Sequence, residues 1–464
     1  MPDDTLLRLP LHEVAARIAR RDVSPVELTG AAVAAIERAN PSINAFRIVL
    51  AESAMAAARA AEAEIVAGNY RGPLHGVPLA IKDLMDVAGE TTPAGSRVLA
   101  GNVATLDSEA ARRLRAAGAI FVGKTHLSEF AFNPSSINPH YGPVRNPWNL
   151  EFDTTGSSSG SGAALAAGLV FGATGSDTGG SIRMPGAACG VVGLKATFGR
   201  VSARGAVTLS WSLDHIGPMA RTVRDTALLL DALAGYDPGD GRTAAVPVDD
   251  YTQAVETGVA GLRIARLTAD GAGDTLGTPA VLRGLDDGVN ALAAAGAHVE
   301  ELDLPELADL AALNGVLITC EAAAYYERFL RERPDELGAP VRERLLFAYA
   351  YSPTTFVAAQ QARAQLRRRV EERLRGFDLL ALPGMPHEAP PLATVRQNTR
   401  FTGPFNMLGW PAIVVPVGLG DNGLPVALQL VGKPWREVDT LRAARVVERD
   451  GPWGGRMAPA LAEP

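Results

Sequence analysis

Two short stretches of this chain combine residue types that can do covalent chemistry: TTGSSSGSG (154–162) and SDTGGSIR (176–183). Between them lies GAALAAGLVFGATG, almost wholly apolar and therefore bound to be buried. A flexible Ser/Gly linker would not bracket a buried element. The two loops read instead as places where small residues let a substrate approach the backbone. Gly179 and Gly180 can aim consecutive N–H groups at one point, which is how an oxyanion is held when a carbonyl is attacked. Ser181, at the end of that loop, is placed as the nucleophile. A serine hydroxyl is weak at neutral pH and needs a base. His215, His298 and His387 have no marked context, whereas Lys82 closes the apolar run GVPLAIKD, next to Asp83. In open α/β sheets ligands gather at the carboxyl ends of strands. Burial there would lower the lysine pKa and leave a neutral amine able to accept a proton.

Three other motifs match patterns without matching their physics. Gly118 to Thr125 fits GxxxxGK[ST], but its middle residues Ala-Ile-Phe-Val belong in a strand and cannot curl around phosphates. Gly156 to Gly160 fits GxSxG, but the NLEFDTT before it is polar, and no downstream histidine stands out as a triad partner. Gly160-Ser161-Gly162 lacks the third glycine of a dinucleotide fingerprint.

The elements that must position these residues follow from periodicity. Residues 5–68 read as amphipathic helices, with Ser24 as N-cap and Pro25 at the first helical position. From residue 71 apolar runs alternate with Gly/Ser loops and helical segments, the pattern of a largely parallel α/β sheet. Residues 306–375 read as helical, ending in ARAQLRRRVEERLRG, whose mixed charges suit a solvated face. FDLLALP, PAIVVPVGL and VALQLVG return as buried strands. No repeat or linker appears, which predicts one domain over 1–464.

Composition bounds the function. The 464 residues are 47% hydrophobic and 20% charged, which excludes a disordered chain. With 44 basic and 51 acidic residues the net charge is −7, and this argues against coating nucleic acid or an anionic membrane. Cys189 and Cys320 read as buried small hydrophobes, and the seven histidines form no zinc motif. The first residues carry no secretory pattern, and the most apolar run, 163–173, is short of the ~20 residues of a membrane span. A soluble cytoplasmic protein is expected. Only Lys82, Lys124, Lys195 and Lys433 are lysine; the other 40 basic residues are arginine. Arginine cannot lose its proton in a protein, so each lysine invites a question.

The stretches GVPLAIKD, GAIFVGKTHLSEFAF, GPVRNPWN, TGSSSGSGAALAAGLV, GSDTGGSIRMPGAACGVVGLKATFGRVS, SLDHIGPMARTVRD, FTGPFNMLGWPAIVVPVGL and GLPVALQLVGKP together resemble the amidase signature family. The match is densest over 71–235, a signature core, and thin over 306–380, expected to be a variable helical region that shapes the substrate pocket. The resemblance implies an α/β fold with a central mixed sheet of about eleven strands covered by helices. It implies a Ser–cis-Ser–Lys triad of Ser181, Ser157 and Lys82, with a cis peptide between Gly156 and Ser157. The N–H groups of Thr178, Gly179, Gly180 and Ser181 would form the oxyanion hole. Ser158, Asp177 and Arg183 would support the site, and Phe132 and Asn133 would line the acyl-pocket entrance. Departures from the usual family pattern are Thr155 and Ser159 where glycine is common, Asn133-Pro134, and Ala196 in place of a frequent proline. Trp211, Tyr325, Tyr326 and Phe347 could shape a pocket or pack in the core.

The implied chemistry is acyl transfer through an acyl-enzyme with no metal or organic cofactor. The expected activity is hydrolysis of a carboxamide C–N bond, with esters and carbamates open to the same route. The expected partner is a small-molecule amide, with no nucleic acid and no membrane, for a monomer or homodimer. The alternative is the A subunit of a tRNA-dependent glutamyl/aspartyl amidotransferase.

Overall fold

A computed structural model of the chain describes residues 5–394 and 399–459. An eleven-stranded sheet runs through it. Its strands are β1 (Phe46–Val49), β2 (Pro78–Lys82), β3 (Ile120–Thr125), β4 (Gly172–Asp177), β5 (Val192–Lys195), β6 (His215–Ala220), β7 (Arg263–Ala269), β8 (His298–Asp303), β9 (Leu379–Pro383), β10 (Ala412–Leu419) and β11 (Pro425–Gly432). Their spatial order is β1-β3-β2-β4-β6-β5-β10-β11-β9-β7-β8. The sheet is mixed: β3-β2-β4 and β9-β7-β8 are parallel, and the remaining neighbours are antiparallel. The expected α/β fold with about eleven strands is therefore the one observed.

The sheet is not largely parallel as the alternation of runs and loops predicts, since six of its ten neighbouring pairs are antiparallel. Two further features are not legible in the sequence. The 5–68 stretch is helical over Leu11–Ala19, Pro25–Ile43 and Ala51–Val66, but Phe46-Arg-Ile-Val49 forms edge strand β1 between the last two. Four residues rich in aromatic and β-branched side chains cannot complete a helix, and β3 offers an unpaired edge. Ser24 does cap its helix, its Oγ accepting from Val26 N at 3.1 Å and Glu27 N at 3.2 Å. The other is β6, which lies centrally between β4 and β5 although it carries Gly217 and Pro218. A proline normally argues against a central strand.

Six helices matter for the site: α1 (Ser159–Ala166), α2 (Arg183–Cys189), α3 (Glu306–Glu332), α4 (Ala339–Ala348), α5 (Pro353–Arg373) and α6 (Gly403–Leu408). The 306–375 stretch is thus mostly helical, as its pattern predicts, and α3 packs against α4, α5 and α6. By length and composition alone α3 could cross a bilayer, which the shorter 163–173 run could not. In the fold α3 buries Leu307, Leu310, Leu317 and Ile318 against its neighbours.

The phosphate-loop and dinucleotide matches settle as ordinary structure. Gly118–Thr125 is a turn and strand β3, and Gly160 and Gly162 lie inside α1. Cys189 is buried, but Cys320 is only half-buried. Three of the four lysines, Lys82, Lys124 and Lys195, are fully buried.

Candidate active site

Parallel pairing of β2 with β3 and β4 brings their carboxyl ends to one edge of the sheet. Lys82 ends β2 and Asp177 ends β4, so the lysine and the start of the 178–181 loop meet because of strand register. Leu79 and Ala80 pair with Gly172 and Ala173, and Lys82 N donates to Thr174 Oγ1 at 3.0 Å.

The first Ser/Gly loop is buried throughout, from Thr154 to Ser161. Gly160 is fixed by close approach: its N–H donates to His126 O at 2.9 Å, and a Cβ there would run into the Ala45 carbonyl. The Gly156–Ser157 peptide is cis. Thr155, one of the departures from the family pattern, takes a left-handed conformation with φ of 58°.

This loop presents its hydroxyls to Lys82. Lys82 Nζ lies 2.8 Å from Ser157 Oγ, 2.9 Å from Ser158 Oγ and 2.9 Å from Ser176 Oγ. No carboxylate among the described residues stands within ion-pair distance of it. Complete burial drives its pKa well below the ordinary lysine value, against the opposing pull of Asp177 and Asp214. A neutral amine has two protons to donate and one lone pair, which matches three hydroxyl neighbours. Ser158 Oγ spends its own proton on the Ser176 carbonyl at 3.3 Å. Ser157 or Ser176 is left to donate to the amine. Ser176 carries no functional signal in the sequence; only the fold shows that it faces Lys82.

Ser181 follows at the mouth. It is 8% exposed, the most accessible of the three expected triad residues, and lines a cavity of about 280 Å³. Its carbonyl accepts from Ser158 N at 3.1 Å, which ties the two loops together. Among the described residues its hydroxyl makes no hydrogen bond, so a Ser157–Ser181 link is not closed here. The N–H groups of Thr178, Gly179, Gly180 and Ser181 likewise donate to no described protein group. All four residues line the same cavity.

Asp177 and Arg183 form a buried bidentate pair, with Nε to Oδ2 at 3.0 Å and Nη2 to Oδ1 at 2.8 Å. Burial would raise the Asp177 pKa, but the Arg183 guanidinium outweighs it and holds the carboxyl well below the usual range. Arg183 also donates to Gln429 Oε1 at 2.8 Å and Asn406 Oδ1 at 2.7 Å. Neither Gln429 nor Asn406 stands out in the sequence, since each is an ordinary amide 246 or 223 residues from its partner. His215, without marked context in the sequence, is buried behind the loop. Its Nδ1 lies 2.7 Å from Leu213 O and 3.2 Å from Asp177 O, and its Nε2 3.3 Å from Lys195 Nζ.

Phe132 and Asn133 do line the Ser181 cavity, together with Asn314 of α3 and Arg344 of α4. The Arg344 guanidinium lies 3.9 Å over the Phe132 ring and donates to the Phe132 carbonyl. No described carboxylate pairs with Arg344, and burial brings its pKa down to about 10, still charged at neutral pH. Among the described residues it is the one charged side chain on the cavity wall. Of the four aromatics read as pocket or core, Tyr326 is core, stacked on Phe130 at 4.1 Å. Trp211, Tyr325 and Phe347 are exposed and do not line this cavity. The Arg-rich end of α5 is solvated at Arg367, but Arg363 turns inward to donate to Met407 O at 2.6 Å.

The amidase family model matches residues 27–441. Among curated proteins, the chain is 40% identical to the A subunit of the glutamyl-tRNA(Gln) amidotransferase from Anaeromyxobacter sp. (strain K), covering 97% of each chain. Among solved structures it is similar to 6-aminohexanoate cyclic dimer hydrolase in complex with substrate, with TM-score 0.90 and 31% identity over 98% of this chain and 100% of that one. It is also similar to the A subunit of the glutamyl-tRNA(Gln) amidotransferase from Thermotoga maritima, with TM-score 0.84 and 30% identity over 99% of each. These relatives correct one expectation. A chain acting by itself on a small molecule, remote from nucleic acid, does not fit curated relatives that are subunits and carry a glutamyl-tRNA in their names. Net charge is a poor guide here, because it averages over the whole surface. The match over nearly the whole length places the chain in the amidase (amidase signature) family, hydrolases that act on carbon–nitrogen bonds other than peptide bonds.

Proposed function

We propose that this chain is the amide-cleaving A subunit of a tRNA-dependent glutamyl amidotransferase, splitting the side-chain amide of glutamine at Ser181 to release ammonia within a complex. The observation that carries this reading is full-length identity of 36–40% to A subunits. The cavity adds support. A lone guanidinium with no described carboxylate partner suits a substrate that brings its own carboxylate, and Arg344 would hold it in bidentate fashion.

Neutral Lys82 accepts a proton from Ser157 as Ser157 accepts one from Ser181. The Ser181 Oγ–carbon bond forms, and negative charge moves to the carbonyl oxygen, facing the free N–H groups of 178–181. The C–N bond then breaks, and the relayed proton returns to the nitrogen, which leaves as ammonia. Water adds to the acyl-serine by the same relay, releasing the acid and restoring Ser181. Esters and carbamates could enter the same acyl transfer. Asp177, Arg183 and Ser158 support the loops rather than react.

The test measures ammonia release from glutamine by the chain with its partner subunits, with and without glutamyl-tRNA(Gln). Glutamine turnover and amidated tRNA, both abolished by Ser181→Ala, are the expected results. Full cleavage of an aryl amide with no glutamine turnover and no amidated tRNA would overturn the proposal.

A further inference from the structure

The 178–181 loop is held through its carbonyls, one peptide at a time. The Asp177 carbonyl accepts from Asn406 Nδ2 at 2.8 Å, and Thr178 O from Asn314 Nδ2 at 3.2 Å. Gly179 O accepts from Thr402 Oγ1 at 2.6 Å, and Gly180 O from Met184 N at 2.7 Å. In a planar trans peptide the C=O and the following N–H point in opposite directions. Fixing these four carbonyls therefore fixes the N–H vectors of Thr178, Gly179, Gly180 and Ser181. They are the same four donors that make no hydrogen bond to described protein groups.

The two central peptides need this most. Gly179 and Gly180 lack Cβ atoms, and Gly180 sits at φ of 139°, so little intrinsic preference holds either peptide plane in place. Their anchors come from elements far apart in sequence. Asn314 is on α3 and 1% exposed, and Thr402 stands just before α6, makes no cap bond with its side chain, and is 2% exposed. Both press on the glycines: a Cβ on Gly179 would lie 2.9 Å from Asn314 Oδ1, and one on Gly180 would run into Thr402 Oγ1.

We propose that Asn314 and Thr402 are positioning residues that hold the Gly179 and Gly180 N–H groups on the oxyanion. The inference rests on Ser181 being the nucleophile. It adds that α3, in the stretch where family resemblance is thin, reaches into the chemical step through one side-chain amide. Neither residue moves a proton. Each acts by keeping a peptide plane from turning, so its loss should weaken the transition state more than the bound substrate.

Thr402→Val keeps the shape and removes the hydroxyl, and Thr402→Ser keeps the hydroxyl; Asn314→Leu removes the amide donor. The probes are an aryl amide and a boronic acid that forms a tetrahedral adduct on Ser181, with thermal unfolding as control. Thr402→Val and Asn314→Leu should each lower kcat roughly 10- to 100-fold, below the loss of a whole oxyanion donor, with KM nearly unchanged. Boronate affinity should fall by a similar factor, and Thr402→Ser should recover most of both. Should valine not be tolerated, Thr402→Ala makes the same comparison with serine. Near-normal kcat and boronate affinity in Thr402→Val and Asn314→Leu, with Ser181→Ala dead, would sink the inference alone. So would a loss that serine does not recover. Turnover surviving in Ser181→Ala would sink both it and the reading beneath it.

Discussion

Lys82 Nζ sits 2.8 Å from Ser157 Oγ in a pocket closed to solvent, with no described carboxylate to neutralise it. A buried lysine with no acid partner is costly when charged, so the fold selects its neutral form. Under the proposed relay the same amine is the base, so catalysis and stability would follow one titration.

Lys82→Arg keeps the charge and approximate length but cannot give up a proton, so kcat should fall by about 10²–10⁴-fold. In the parent protein, activity should decline on the acid side as the amine is protonated. Stability follows with a defined sign. The folded pKa lies below the unfolded value, so the unfolded chain binds more protons between them, and stability rises with pH across that window. Lys82→Met should flatten this rise, measured by denaturant unfolding across pH.

The Arg183–Asp177 pair is fully buried on both sides. Arg183→Ala would leave Asp177 unpaired and should destabilise the fold by about 3–5 kcal/mol. Removing both partners should cost less than the sum of the single losses, read from a double-mutant cycle. Asp177 has a depressed folded pKa, so its stabilisation is present above the ordinary carboxylate range and is lost as pH falls below it.

Thr155 is a threonine where φ is 58°, and its hydroxyl is buried without a partner among the described residues. Glycine would relieve left-handed strain of roughly 1–2 kcal/mol and remove an unsatisfied polar group. The opposing terms are chain entropy of roughly 1 kcal/mol and a lost methyl. Thr155→Gly is therefore expected to raise stability by up to ~1 kcal/mol, seen as a higher Tm.

Arg344→Gln removes the one charge that the described residues place on the cavity wall. KM for a carboxylate-bearing amide such as glutamine should rise about 10- to 100-fold, the worth of one charged hydrogen-bonded contact. KM for a neutral aryl amide should barely move. Equal effects on both substrates would assign Arg344 to packing on Phe132 instead.

Local chemistry is what the sequence determines by itself. Lys82 at the end of an apolar run, the hydroxyls of 154–162 and the Gly-Gly-Ser181 loop are legible because their types and spacing are contiguous. Ser24 as a cap and the helical 306–375 stretch are legible because periodicity is local. The tertiary structure decides what those segments face. Ser176 beside Lys82 depends on parallel register between β2 and β4, and no short-range pattern encodes strand register. Asn314, Thr402, Asn406 and Gln429 are unremarkable amides and hydroxyls until chain closure sets them against the loop and Arg183. Arg344 is one of 40 arginines in the sequence, and only the burial of α4 against the cavity sets it apart. Strand β1 and the proline-bearing β6 are equally illegible locally, because pairing with neighbours overrides weak intrinsic preference.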